Sequence, residues 1–144
     1  MSDNNLDRLC AQFGYEMCQS VSQPFGGKKS DTENLITKSL GVLQEDGVYA
    51  FFLYLASQVK EGKDEKKNSK AARALANKAA EFLAHDGLAL LLPNAGGDYK
   101  QAMEAIRKPD GLAADLDSLL LAKRLLEQAL IYARYHAKAL EGEK

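Results

Sequence analysis

Two cysteines and two histidines are all that 144 residues contain, and each shortage removes a class of explanation. Cys10 and Cys18 lie eight apart on one helical face with no Cys or His at zinc-ligand spacing nearby, so they read as packing thiols. A chain of this length buries about two-thirds of its unfolded surface and needs neither disulfide nor metal to hold it. Period-two alternation of apolar residues is missing, which leaves no convincing strand. Long hydrophobic runs are missing too. The longest, Val48 to Val59 in "VYAFFLYLASQV", stops at Lys60, well short of the ~20 residues a membrane span requires. The N-terminal "MSDNNLDRLC" has neither the basic nor the apolar segment of a secretory signal, so a cytoplasmic setting is expected.

Signatures of catalysis are equally scarce. An adjacent His-Asp pair, His85-Asp86, occurs in "HDG", but a metal site there needs further imidazoles and carboxylates, and the other histidine, His136, is far downstream. The plainer expectation is a helix C-terminus, where the dipole favours a partly protonated His. Gly26-Gly27 is followed by Lys28 and Lys29 but lacks the strand and the full spacing of a phosphate loop. No Ser-centred elbow occurs. Asp115 and Asp117 stand two apart on a helix and so diverge. The expectation is a chain with no active site, no metal and no cofactor.

What is present is helical periodicity. Leu6, Leu9, Cys10, Phe13, Met17 and Val21 form the apolar face of a first helix, broken by "SQPFGGKKS". Ser30, three before Glu33, has capping-box spacing for a second helix carrying Leu35, Ile36, Leu40 and Leu43, closed by Gly47 in a left-handed conformation. Val48 to Val59 becomes a third helix, apolar nearly all round and so expected to be buried on most sides. A fourth runs from about Ser69 to Ala84 with Ala72, Leu75, Ala79, Phe82 and Leu83 inward. "LALLLP" is a short buried turn or helix. Asp98 caps a short fifth helix with Tyr99, Met103 and Ile106. The last helix runs from about Leu112 to Leu140 on a stripe of Leu116, Leu119, Ala122, Leu126, Ala129, Ala133 and Leu140. The fold class is therefore all-α: one helical domain over residues 1–144, a compact bundle of five to seven helices with a long C-terminal member.

Charge is distributed unevenly. The net charge is −1, yet residues 1–47 carry four basic and seven acidic side chains while residues 58–80 carry seven basic and three acidic. On the fourth helix Lys66, Lys70, Arg73 and Asn77 share one side of the wheel, opposite Leu75, Ala79 and Phe82. Lys66, Lys67 and Lys70 crowd the helix start, where the dipole disfavours cations by about 0.3–1 kcal/mol each. Lysines beside unpaired backbone N–H groups make a site for phosphate oxygens, with Asp64 and Glu65 positioned to neutralise part of it. A solvated charged face is the bland alternative. A second stripe, Lys123, Arg134 and Lys138, lies on the last helix. There Lys123 can pair with Glu127, and Arg124 and Tyr135 occupy a neighbouring face suited to a base or a partner surface.

In order, "LDRLCAQFGYEMCQSV", "ENLITKSLGVLQEDGVYAFFLYLASQ", an alanine-rich fourth helix and a long last helix ending "ALIYARYHAKAL" resemble the small helical subunit of type III-B (Cmr-type) CRISPR effector complexes. The second element is the strongest: a helix, a short acidic or amide turn ending in Gly, then an apolar helix. The resemblance implies a non-catalytic, RNA-associated scaffold. Its partners would be guide RNA and target RNA, the other effector-complex subunits, and copies of itself stacked head-to-tail, the acidic part of one facing the basic part of the next. Target cleavage would belong to the backbone subunits. By position, Lys63, Lys66, Lys67, Lys70 and Arg73 are the carried-over phosphate contacts, with Lys123, Arg124, Arg134 and Lys138 as a second set. The competing reading is a helical protein-interaction module that binds no nucleic acid.

Overall fold

The computed structural model describes residues 3–60, 62–85, 97–108 and 116–140, with side chains from Leu6 onward. Six α-helices occur among them: α1 (Asp3–Ser22), α2 (Lys29–Asp46), α3 (Val48–Ser57), α4 (Lys67–Ala84), α5 (Tyr99–Arg107) and α6 (Leu116–Lys138). No described residue is in a strand. The helices share one hydrophobic core, and no described helix is long and apolar enough to cross a membrane.

The α1–α6 pair is the broadest contact among the described helices, and its closeness follows from small residues at the crossing. Gly14 faces Ala129 and Ala133. A Cβ built on Gly14 would stand 2.6 Å from the Tyr132 Cβ and 2.7 Å from the Ala129 carbonyl oxygen. One turn earlier the buried Cys10 thiol donates to the Leu125 carbonyl at 3.6 Å. The opposite flank of α1 packs on α4, where Phe13 meets Phe82 with ring centroids 5.1 Å apart. The second helix lies on α6 and α3, and α5 rests on α4 and α3.

The apolar faces expected from periodicity are the buried ones. Cys10, Phe13, Met17 and Val21 on α1, Leu35, Ile36, Leu40 and Leu43 on α2, and Ala72, Leu75, Ala79, Phe82 and Leu83 on α4 all sit in the core. In α3 the centre is Phe51 and Phe52, both fully buried and edge-to-face at 5.2 Å. Burial there is less complete than the all-round apolar pattern suggests. Leu53 is 51% exposed and Tyr49 and Tyr54 are half-buried; Tyr49 is partly covered by Arg107 of α5, which donates to its hydroxyl at 3.1 Å.

Helix ends show where local signals hold and where they fail. Asp98 caps α5 as expected, accepting from the Lys100 N–H at 2.9 Å. The capping box at Ser30 does not form. The second helix begins at Lys29 with Lys28 at the cap position and no side-chain cap, and Thr32 Oγ instead donates back to the Lys28 carbonyl at 2.8 Å. Gly47 links α2 and α3 with φ +99° and ψ −176°, an extended positive-φ region essentially restricted to glycine rather than the left-handed helical one. Its N–H bonds the Leu43 carbonyl and its carbonyl accepts from Phe51 N–H, so one residue ends one helix and starts the next. Leu116, placed on the inward stripe of the last helix, is 65% exposed, because the buried face of α6 centres on Ala122, Leu126, Ala129 and Ala133. The expectations for "DGLALLLP" after His85, for Asp110-Gly111 and for residues 112–115 of the last helix lie outside the described residues.

Candidate nucleic-acid interface

The turn between α3 and α4 is organised by one carboxylate. Glu65, whose side chain is only 9% exposed, accepts from the Ser69 hydroxyl at 2.7 Å and from the Arg73 guanidinium at 2.5 Å. The Ser69 oxygen in turn accepts the Lys60 N–H at 2.8 Å. This knot pins the turn to the first two turns of α4, and it revises two sequence expectations. Glu65 pairs with Arg73 and makes no ion pair with any of the lysines, so the charge it cancels is that of Arg73. Arg73 is not a free cation on the outer face but a half-buried strut. Asn77, on the same side of the wheel, is also committed: its side-chain carbonyl accepts the Tyr99 N–H at 3.0 Å and anchors the start of α5.

What remains outside the knot is a group of exposed ammonium ions. Lys63, Lys66, Lys67 and Lys70 are all exposed, and among the described residues none lies within ion-pair distance of a carboxylate. The fourth helix starts at Lys67, two residues earlier than periodicity alone indicates, with Lys66 at the cap position, no side-chain cap and no acid in its first turn. Uncapped N–H groups and four cations therefore occupy one end of one helix, an arrangement that favours bound anions.

The second stripe is mixed. Lys138 is tied to Glu33 of α2 at 2.5 Å, and this hydrogen bond, aided by the fields of Lys29 and Arg134, holds the Glu33 carboxyl below its ordinary range. Lys123 is half-buried and forms no ion pair with Glu127. Arg124 is exposed. The aromatic partner in this region belongs to Arg134, whose guanidinium lies 6.0 Å from the centroid of the exposed Tyr135 ring, while its Nε is buried without a hydrogen-bond partner.

Among the described residues no three His, Cys, Asp or Glu side chains are arranged to hold a metal. His85 packs edge-on against Phe13 at 5.6 Å, and His136 against Tyr15 at 5.4 Å. Burial, with Asp7 adding to it, pushes the Cys10 thiol up to about 11. Burial raises Cys18 as well. Both therefore stay protonated and unreactive at neutral pH. Lys78 bridges α1 and α4 through Glu16 at 3.3 Å and Glu81 at 3.1 Å.

One feature has no trace in the sequence patterns. A cleft of about 210 Å³ opens where the first turns of α2 and α4 meet the end of α3. Phe25 and Leu35 form its apolar wall, Tyr54 reaches it from α3 and Gln58 from just past the end of that helix, Asn34 and Lys38 from α2, and Asn68 from α4. Its residues come from four separated segments, and the only local hint is that Asn34 and Lys38 share the outward face of α2. No protein-family model, curated protein or solved structure matches the chain.

Proposed function

We propose that the chain is a non-catalytic, RNA-associated scaffold subunit of a type III CRISPR effector complex, contacting phosphates through the start of α4. One observation carries the phosphate contact: four exposed, unpaired lysines surround an uncapped helix start while the nearest buried carboxylate is turned inward to Arg73. Cations in that position oppose the helix dipole and add nothing to packing, so an anionic partner is their natural complement. The sequence order resembling the Cmr-type small subunit supplies the type of complex. In that setting the strand is guide or target RNA, contacts run to the phosphodiester backbone without reading bases, and further copies of the chain and the backbone subunits are the protein partners.

The test is the salt dependence of single-stranded RNA binding. Replacing Lys66, Lys67 and Lys70 together by Ala is expected to lower affinity about 100-fold at low salt and to reduce the log–log salt slope by about 2, at ~0.7 per phosphate contact. Circular dichroism should be unchanged. An unaltered slope removes the reading. Glu65→Ala gives an independent check through opposite signs. It should destabilise the fold by about 1–2 kcal/mol, because Arg73 and Ser69 lose their acceptor, with a discount for the partial exposure of Arg73. The same change adds one net positive charge beside the lysines, so RNA affinity should rise a few-fold.

A second reading, a helical protein-interaction module without nucleic-acid binding, draws on Leu116, Leu120 and Leu121, exposed at 65%, 53% and 41% along the start of α6. It prevails if RNA affinity is undetectable at low salt both in the free chain and in a reconstituted complex.

A further inference from the structure

The cleft between α2, α3 and α4 adjoins the lysine-bearing helix start, since Asn68, which lines it, directly follows Lys67. Its volume of about 210 Å³ corresponds to roughly seven waters at ~30 Å³ each. That is smaller than the ~300–1,000 Å³ of a drug-sized pocket, and suited to one flat ring system. Its lining is divided in character: aromatic and aliphatic surface from Phe25, Leu35 and Tyr54, and amides from Asn34, Gln58 and Asn68.

None of these amides, nor the Tyr54 hydroxyl, nor the Lys38 ammonium, is hydrogen-bonded to another described side chain or to the backbone. Each amide offers both a donor and an acceptor, the pattern that meets the edge of a heterocyclic base. Aromatic faces supply stacking. Lys38 stands in the lining, and α2 and α4 both start beside the cleft without side-chain caps. Asp31, the one carboxylate among the described lining residues, is paired with Lys28 at 3.8 Å.

We infer that this cleft seats one unpaired nucleobase of the strand whose phosphates lie along the α4 lysines, stacked against Phe25 and Tyr54 and hydrogen-bonded by Asn34, Gln58 and Asn68. The inference rests on the RNA-scaffold reading and adds to it a contact that is not purely electrostatic. The strand is then held at a fixed register by an extruded base rather than sliding freely over a basic surface.

Two strands of equal length separate the contributions: single-stranded RNA and an abasic phosphodiester. The Asn34→Ala/Gln58→Ala double variant, one position exposed and the other half-buried just past the end of α3, is expected to bind RNA about 10-fold more weakly and the abasic strand unchanged, with circular dichroism confirming the fold. The Lys66/Lys67/Lys70 triple alanine variant should lose affinity for both. In NMR spectra, AMP or UMP should shift the side-chain amide signals of Asn34, Gln58 and Asn68, and ribose 5-phosphate should not. If the double variant binds RNA as the parent does, or ribose 5-phosphate shifts the amides equally, the base assignment is overturned while the lysine surface stands. Amides shifted by a mononucleotide that the RNA strand does not displace overturn the strand as the source of the base. If the parent protein binds neither strand at low salt, both readings fall.

Discussion

Gly14→Ala should unfold the protein at a temperature roughly 5–10 °C lower, a loss of about 2 kcal/mol or more. Alanine normally favours a helix over glycine by up to ~1 kcal/mol, so the sign must come from tertiary contact. The added methyl would meet the Ala129 carbonyl oxygen at 2.7 Å and the Tyr132 Cβ at 2.6 Å. These atoms belong to the α6 backbone and to the carbon attached to it, and cannot rotate away. The two helices have to separate, and separation loosens Cys10 against Leu125 and the alanine row beyond it. Gly41→Ala in α2 is the matching control. A Cβ there meets nothing within 4 Å, so helix propensity acts unopposed and stability should rise by about 0.5–1 kcal/mol. Thermal or urea denaturation of the two variants decides the matter, and equal shifts would show that α1 and α6 do not pack as described.

Phe51→Ala should have the larger effect, about 3–5 kcal/mol and roughly 10–15 °C in melting temperature. Phe51 is fully buried, meets Phe52 edge-to-face, and stands on the helix that joins α2 to α4 and α5. Truncation leaves a void that these neighbours cannot fill, because α2 enters α3 through a single residue and cannot shift alone. Leu53→Ala on the same helix, half exposed, is expected to cost less than 1 kcal/mol. Similar losses at the two positions would mean that α3 is not seated by its phenylalanine face.

How far the sequence carried these conclusions depended on the range of the interaction. Helix identity and inward faces are properties of residues three and four apart, and the apolar stripes of α1, α2, α4 and α5 were legible for that reason. The Asp98 cap, acting over two residues, was legible too. Ser30 had the spacing of a cap but lies inside the first turn, because the helix starts one residue before it and Thr32 takes the Lys28 carbonyl. At α4 the lysines were legible as a group, whereas the commitments of Arg73 and Asn77 were not. Their partners, Glu65 across a turn and Tyr99 on another helix, are set by tertiary placement. The same holds for Leu116, whose place on a stripe is a matter of period while its exposure depends on what α6 packs against. The cleft is the extreme case, since none of its walls is defined until α2, α3 and α4 have come together.

Gly47 links that cleft to a distant torsion. The walls supplied by α2 and α3 are the two arms of one knee, and the bend is set by backbone angles that a residue with a side chain adopts only under strain. The separation between Lys38 on one arm and Gln58 on the other is thus governed by a residue that touches neither. The shape of the notch is inherited from a joint about ten positions away along each arm, and its tolerance to change is that of the joint rather than of its lining.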